Sequence, residues 1–318
     1  MVFIICVVTY CFDTVQKRHD HLCSSIFSCF PVEIVRLIFE HSGRDSGKMA
    51  SRLVGVCRLV QAWLLPVLYE TLLLKWPENF HQISSTLTSG TSNSLARHVR
   101  HVSIQVQTVW NDESLSSDVA ELLVVCQNLQ SLYLDTMCLP LNIYVPGQAP
   151  HLTHLHCGSW GAWMTHDIMA FHALTHLRVD LSYNSAISPS WRPLLPPWKK
   201  LPRLTHLAVG CDQRTITSEL HGLTSFLRGI LSRPDMVMLV VTAWCCWSEV
   251  DPLVSEVFNK ASDPRLCILM TQGRPTDASS VKEWEDAARG RQTIWNKAEM
   301  VIKRHQDKGR PGVAVGLL

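Results

Sequence analysis

Leu152-Thr153-His154-Leu155-His156-Cys157, Leu174-Thr175-His176-Leu177-Arg178-Val179 and Leu204-Thr205-His206-Leu207-Ala208-Val209 are three copies of one pattern, apolar at the first, fourth and sixth positions. Side chains alternate faces along a strand, so the fourth and sixth residues share one face and the third and fifth the other. The frame extends upstream to Leu129/Leu132/Leu134 and Val99/Val102/Ile104. Downstream it extends to Met236/Leu239/Val241 and, more loosely, to Leu266/Leu269/Thr271. Its first positions are 22 to 32 residues apart. A short strand recurring at that interval predicts parallel neighbours, because a parallel pair needs a crossover of about a dozen residues.

The intervening segments can supply the crossovers. Asp118–Cys126 carries Val119, Leu122, Leu123 and Cys126 at helical spacing, and Thr217–Leu231 carries Leu220, Leu223, Leu227, Ile230 and Leu231. Asp251–Lys260, with Val254, Val257 and Phe258, reads the same way. Ser185–Pro202 holds five prolines and predicts a rigid loop. Together these features resemble an irregular leucine-rich repeat, an α/β solenoid that presents a surface. After it, Ser280-Val281-Lys282-Glu283 reads as a capping box. Trp284, Ala288, Arg291, Trp295, Ala298 and Ile302 then predict one helix, stopped by Gly309 and Pro311 and capping the last repeat.

Composition narrows the function. The chain has 318 residues, 47% hydrophobic and 18% charged, with a formal charge of +2. No basic run occurs, which argues against a nucleic-acid partner. The 12 cysteines are scattered without a C-x-x-C pair, so they read as buried thiols in a reducing compartment, cytoplasmic or nuclear. Met1–Phe12 is apolar but too short to span a bilayer, and it lacks the basic start of a signal peptide, so no membrane partner is expected. No P-loop, G-x-G-x-x-G, G-x-S-x-G or H-E-x-x-H occurs, and the chain is not expected to be an enzyme. Cys245-Cys246, between Trp244 and Trp247, has only Glu249 as its nearest charge and reads as core or interface.

Pro31–Leu74 does not repeat. Pro31 suits a first helical turn, and Glu33 suits the helix dipole. Glu33, Arg36 and Glu40 define a narrow polar face, while Val32, Ile34, Val35, Leu37, Ile38 and Phe39 require burial on two sides. His41–Lys48, with Gly43 and Gly47, reads as a turn. Met49, Leu53, Val56 and Val60 then form the stripe of a second helical stretch, and Pro66 kinks or restarts the helix that follows.

The run Phe30-Pro31-Val32-Glu33-Ile34-Val35-Arg36-Leu37-Ile38-Phe39-Glu40, with Val56-Cys57-Arg58 and Ala62–Leu72, resembles an F-box and its continuation in fungal F-box-like proteins. The resemblance implies a substrate-recruiting adaptor of a cullin–RING ubiquitin ligase, in the ubiquitin-like conjugation pathway. Its docking face for a Skp-type adaptor would include Pro31, Ile34, Leu53, Val56, Cys57 and Trp63, and the repeats would hold a protein target of unknown identity. The alternative is a non-enzymatic interaction scaffold in which the box is only a structural cap.

The expected organisation is α/β: a leader over 1–29, an F-box-like helical module over 30–76, an irregular leucine-rich-repeat-like solenoid with a parallel sheet over 77–275, and a C-terminal capping helix and tail over 276–318. The solvent side of the strands would carry three rows. The first is His101, Ser131, His154, His176, His206 and Met238. The second is Ser103, Tyr133, His156, Arg178, Ala208 and Val240. The third includes Asp180 and Gly210. Tyr133, His154, His156, His176, Arg178, Asp180 and His206 make the candidate target face. The column of His154, His176 and His206 admits a metal site, a pH-sensitive partner surface or a half-polar position that tolerates His. A flat column does not converge tetrahedrally, so no metal and no other cofactor is expected. A deep pocket lined by His154, His176 and a carboxylate such as Asp180 would favour an enzyme instead.

Overall fold

The computed structural model describes residues 30–45, 47–76, 79–89, 93–106, 113–135, 149–158, 171–181, 201–212, 220–245, 263–272, 277–309 and 313–317. The expected leader, residues 185–200 of the expected proline-rich loop, the expected helix over 251–260 and Cys246-Trp247 lie outside them. Two compact units divide at Leu68 and Tyr69.

The N-terminal unit contains α1 (Val32–Asp45), α2 (Gly47–Leu53) and most of α3 (Arg58–Glu70). Val35, Phe39 and Gly43 are spaced by four residues and make the buried stripe of α1. They meet Leu53, Val60 and Leu64 in a small core. Gly43 does not turn the chain as expected: α1 runs through it. A Cβ at Gly43 would stand 3.0 Å from Leu64 Cδ2, so glycine serves close helix packing there. Pro66 lies within α3, and the helix does not restart at it.

The second unit begins with a strand where the helical module was expected to continue. β1 (Thr71–Trp76) alternates half-buried and buried residues, with Leu72, Leu74 and Trp76 inward. α4 (Phe80–Thr88) and α5 (Asn93–Ala96) lead to β2 (His101–Val106). α6 (Glu113–Val125) leads to β3 (Ser131–Asp135), followed by β4 (His154–Cys157), β5 (His176–Leu181) and β6 (His206–Asp212). α7 (Leu220–Leu231) precedes β7 (Met238–Cys245) and β8 (Leu266–Gln272). The chain ends in α8 (Asp277–Ala288), α9 (Ile294–Asp307) and β9 (Ala314–Leu317).

Among the described residues the nine strands form one sheet, all parallel and in sequence order from β1 to β9. The result is an open, solenoid-like α/β arrangement. All frame leucines and their substitutes from Val99 to Val241 enter one continuous core on one side of the sheet, with α4, α6 and α7 contributing Phe80, Leu122 and Phe226. Register matches the expected rows through β7: His154 pairs with His176, His176 with His206, and His206 with Met238. At β8 the frame slips, because Leu239 pairs with Leu266 rather than Leu269. Leu266, Ile268 and Met270 therefore join the main core, and Cys267 and Leu269 turn to the opposite side.

Strands β3 to β7 are each anchored to their predecessor at the start. Gln130 O accepts from the backbone N–H of both Thr153 and His154, Thr153 O from those of Thr175 and His176, and Thr175 O from those of Thr205 and His206. The Thr hydroxyls add bonds to the same carbonyls: Thr153 to Gln130 O at 3.1 Å, Thr175 to Thr153 O at 3.1 Å and Thr205 to Thr175 O at 3.3 Å. The repeated Leu-Thr-His-Leu wording is thus a device for stacking one repeat on the next.

Three further differences concern the C-terminus. The expected single helix is broken between α8 and α9, where Gly290 adopts φ +72°. The capping box that forms is Thr293 with Asn296, while Ser280 lies inside α8. The expected tail contains an edge strand, β9. α9 packs on β8, the last strand of the repeat frame, as the expected cap would, but both helices lie over the face expected to be open to solvent.

Candidate functional site

The second side of the sheet changes character along its length. Over β3 to β5 it is polar: Ser131, Tyr133, His156, Arg178 and Asp180 are all buried. α8 covers this stretch. Trp284 Nε1 donates to Ser131 Oγ at 2.8 Å, and Arg178 Nη1 donates to Glu283 Oε2 at 2.7 Å. Tyr133 packs with Val281 and Trp284 in a separate apolar cluster. Over β6 to β8 the side is apolar, and Ala208, Met238, Val240, Cys267 and Leu269 pack against Ile294 and Ala298 of α9. The open target face expected at Tyr133, His156, Arg178 and Asp180 is therefore closed by the chain's own helix, because these side chains match its Trp, Glu and apolar residues.

Arg178 is the centre of the polar stretch. Burial opposes its charge, but Asp180 (Nε to Oδ1, 3.5 Å) and Glu283 together outweigh that cost and hold the guanidinium protonated. For both carboxyls burial favours the neutral acid. Arg178 overcomes it and keeps Asp180 and Glu283 below the usual carboxylate range. Lys297 Nζ lies 3.7 Å from Glu283 Oε1, so two cations face two anions. His156 is pushed toward its neutral form by burial first and Arg178 second, against the opposing pull of Asp180. An ionised carboxylate only accepts, so His156 Nε2–H donates to Asp180 Oδ2 at 3.3 Å. The edge-on contact of Tyr133 with the His156 ring, 4.5 Å between centroids at 88°, holds that imidazole in place.

Space for Asp180 comes from the neighbouring strand. Asp180 pairs with Gly210 in register, and a Cβ at Gly210 would overlap Asp180 Oδ1 and stand 3.0 Å from Trp244 Cζ2. Glycine is required there because the carboxylate occupies the volume of its missing side chain.

The histidine column forms as expected. His154 and His176 stack at 4.2 Å and 14°, and His176 and His206 at 4.1 Å and 12°. Trp295 of α9 meets His176 and His206 edge-on at 5.3 and 5.5 Å. Each Nδ1 lies 2.8 to 2.9 Å from the hydroxyl of the preceding Thr. With each hydroxyl donating to its backbone carbonyl, its oxygen can accept from Nδ1–H, the tautomer that satisfies both contacts of all three Thr-His pairs. Three Nε2 lone pairs remain, on parallel rings. Burial drives the three rings toward neutrality; adjacent histidines add to this at His176, which falls to about 3. His101, further along the row past Ser131, falls to about 4 for the same leading reason.

A half-open cleft of about 70 Å³ lies where the column meets α8, bordered by His154, His176, Arg178, Glu283, Trp284 and Trp295. Its carboxylate is Glu283 rather than the Asp180 expected of an enzyme pocket, and that carboxylate is already bonded to Arg178. Among the described residues no group of three or more His, Cys, Asp or Glu is arranged to hold a metal ion. Three buried thiols are held as the un-ionised, poorly nucleophilic form: burial raises Cys126 and Cys267 to about 12 and Cys157 further.

The expected adaptor face divides. Pro31 and Ile34 are exposed, Val56, Cys57 and Trp63 are half-buried against the unit's own core, and Leu53 is buried in it. Leu53 therefore belongs to the core and not to a docking face, because α2 turns it inward. The α8 cover was missed in the sequence, although adjacent Glu283 and Trp284 opposite a polar strand face were its signal.

No protein-family model matches the chain, and no match was found among curated proteins. What fold and site define is a class: a sequentially stacked parallel α/β sheet whose second side is covered by C-terminal helices. Among the described residues no helix is long and apolar enough to cross a membrane.

Proposed function

We propose that the chain is a recruiting adaptor, whose N-terminal helical unit docks a Skp-type protein of a cullin–RING ubiquitin ligase and whose repeat unit engages a protein target. One observation carries this reading beside the F-box resemblance. α1 commits Val35 and Phe39 to its core and leaves Phe30, Val32, Ile34 and Leu37 exposed, together with Leu59 of α3. Five exposed large apolar side chains on a unit this small fit a partner surface. The docking face is accordingly Phe30, Pro31, Val32, Ile34, Leu37 and Leu59.

The full chain should co-purify with the Skp-type adaptor of its own source. The double change Ile34→Asp with Leu37→Asp should weaken that binding at least about tenfold, since both side chains lie outside the core and the fold should survive. No binding by the native chain would overturn the reading and leave the interaction scaffold.

A further inference from the structure

The two C-terminal helices hold their side of the sheet by different physics. α9 meets an apolar surface with an apolar surface, and the strand that follows it packs Gly316 against Val301 of α9 and pairs with β8. Lifting α9 would expose a mainly apolar surface, with little regained from water beyond the ring edges of His176 and His206 that Trp295 covers. α8 holds a polar surface through the Arg178–Glu283 ion pair, one indole hydrogen bond and the Tyr133 cluster, and its one tie to α9 among these contacts is the longer, partly exposed Lys297–Glu283 pair at 3.7 Å. Lifting α8 returns Arg178, Asp180 and Glu283 to water, whose solvation offsets much of the lost pairing. The closed state also leaves Arg178 Nε, Asp180 Oδ1 and Glu283 Oε1 buried without a hydrogen bond, although each is near an opposite charge.

The chain between them permits separate movement. Arg289–Thr293 is not helical, and Gly290 sits at φ +72° with no atom within 4 Å of where a Cβ would lie. α9 carries its own N-terminal capping box, so it does not depend on α8 for its start.

We propose that α8 is a displaceable cover on a peptide-binding surface formed by Ser131, Tyr133, His156 and Arg178. The partner it fits is a protein segment that repeats the chemistry of α8: a helical turn presenting a carboxylate to Arg178 and an adjacent aromatic residue to Tyr133 and Ser131. This surface exists whether or not the N-terminal unit docks an adaptor; under that reading the displacing segment belongs to the target.

Hydrogen exchange on the full native chain tests the cover. The amides of α8 should exchange at least about tenfold faster than those of α9, because local opening releases the less stable element alone. Equal protection of the two helices would overturn the proposal. A synthetic peptide of residues 277–290 tests the surface. It should bind the full-length Trp284→Ala chain, whose own cover is loosened, at least tenfold more tightly than the native chain. It should also lose that binding when the peptide itself carries Glu283→Ala. Absence of binding to the folded variant would overturn the peptide-binding surface. If the variant does not fold, the exchange pattern of the native chain decides. Neither measurement involves α1 or a Skp-type protein, so failure of the adaptor reading is seen separately.

Discussion

Gly210 shows how one residue makes the polar stretch possible. Its strand neighbour Asp180 places a carboxylate in the volume a Cβ would fill, and that carboxylate lies in an ion pair with Arg178 and accepts a hydrogen bond from His156. Gly210→Ala forces the carboxylate aside, adds buried strain and loosens a buried ion pair. We expect a loss of about 3 kcal/mol in urea unfolding. Gly290→Ala should cost only about 1 kcal/mol, since it meets no atom and pays only for its left-handed backbone. Equal losses would contradict the steric argument. Alternation alone made the occupants of this face legible: Tyr133, His156, Arg178 and Asp180 were expected on one side and lie there. Their burial was not legible, because it depends on Glu283 and Trp284, more than a hundred residues downstream of Arg178 and Ser131. Periodicity reports which way a side chain points and is silent on what later arrives to cover it.

At the scale of elements, the stacked imidazoles couple three strands through one repeated dipeptide. Thr bonds backward to the previous repeat and contacts Nδ1 of the His that follows, so each of these three repeats contributes a similarly held, neutral ring. The pH dependence has a definite sign. Above pH about 6.5 His176 is neutral in both the folded and unfolded chain and contributes nothing. As pH falls below that value the unfolded chain takes up a proton that the folded chain refuses until about pH 3, so stability declines. Native protein should therefore lose stability between pH 7 and 5, a window in which Asp180 and Glu283, both held low, do not titrate. His176→Phe should lessen that decline while keeping the stack, and the remainder belongs to His101, His154, His156 and His206, which burial also pushes toward neutrality. Urea midpoints at the two pH values measure it, and an unchanged slope in the variant would contradict this account. Element boundaries were harder to read than element types. Gly43 was expected to break a helix and Gly290 to lie within one, and the structure reverses both. The residue is the same, but in α1 the close approach of Leu64 rewards its missing side chain, whereas at Gly290 the backbone uses its positive φ. The slip at Leu266 has a related cause: Leu266, Ile268, Leu269 and Met270 offer apolar residues to both faces, so pattern alone cannot choose the register.

For the whole molecule, the sequential order of strands leaves two edges, β1 and β9, among the described residues. β9 is four residues long, and its Val315 is exposed, whereas β8 beside it is a longer, largely buried strand reading Leu-Cys-Ile-Leu-Met-Thr-Gln. A short edge strand protects a longer apolar one from pairing with another chain. The tail was read from sequence as a simple terminus after Gly309, since four residues carry no measurable alternation. Its function is visible only once β8 is seen to need a partner. Removing residues 310–318 strips β8 of the backbone bonds to β9 and takes Gly316 away from Val301. The truncated chain should show a higher apparent mass than the full chain in size-exclusion chromatography with light scattering, increasing with protein concentration. It should also lose about 2 kcal/mol or more in urea unfolding, the scale of a lost strand contact with its packing. A truncated chain of unchanged mass and stability would mean that α9 alone shields this end of the sheet. It would also assign α9 a larger share of the covering than the apolar contacts of Ile294 and Ala298 provide.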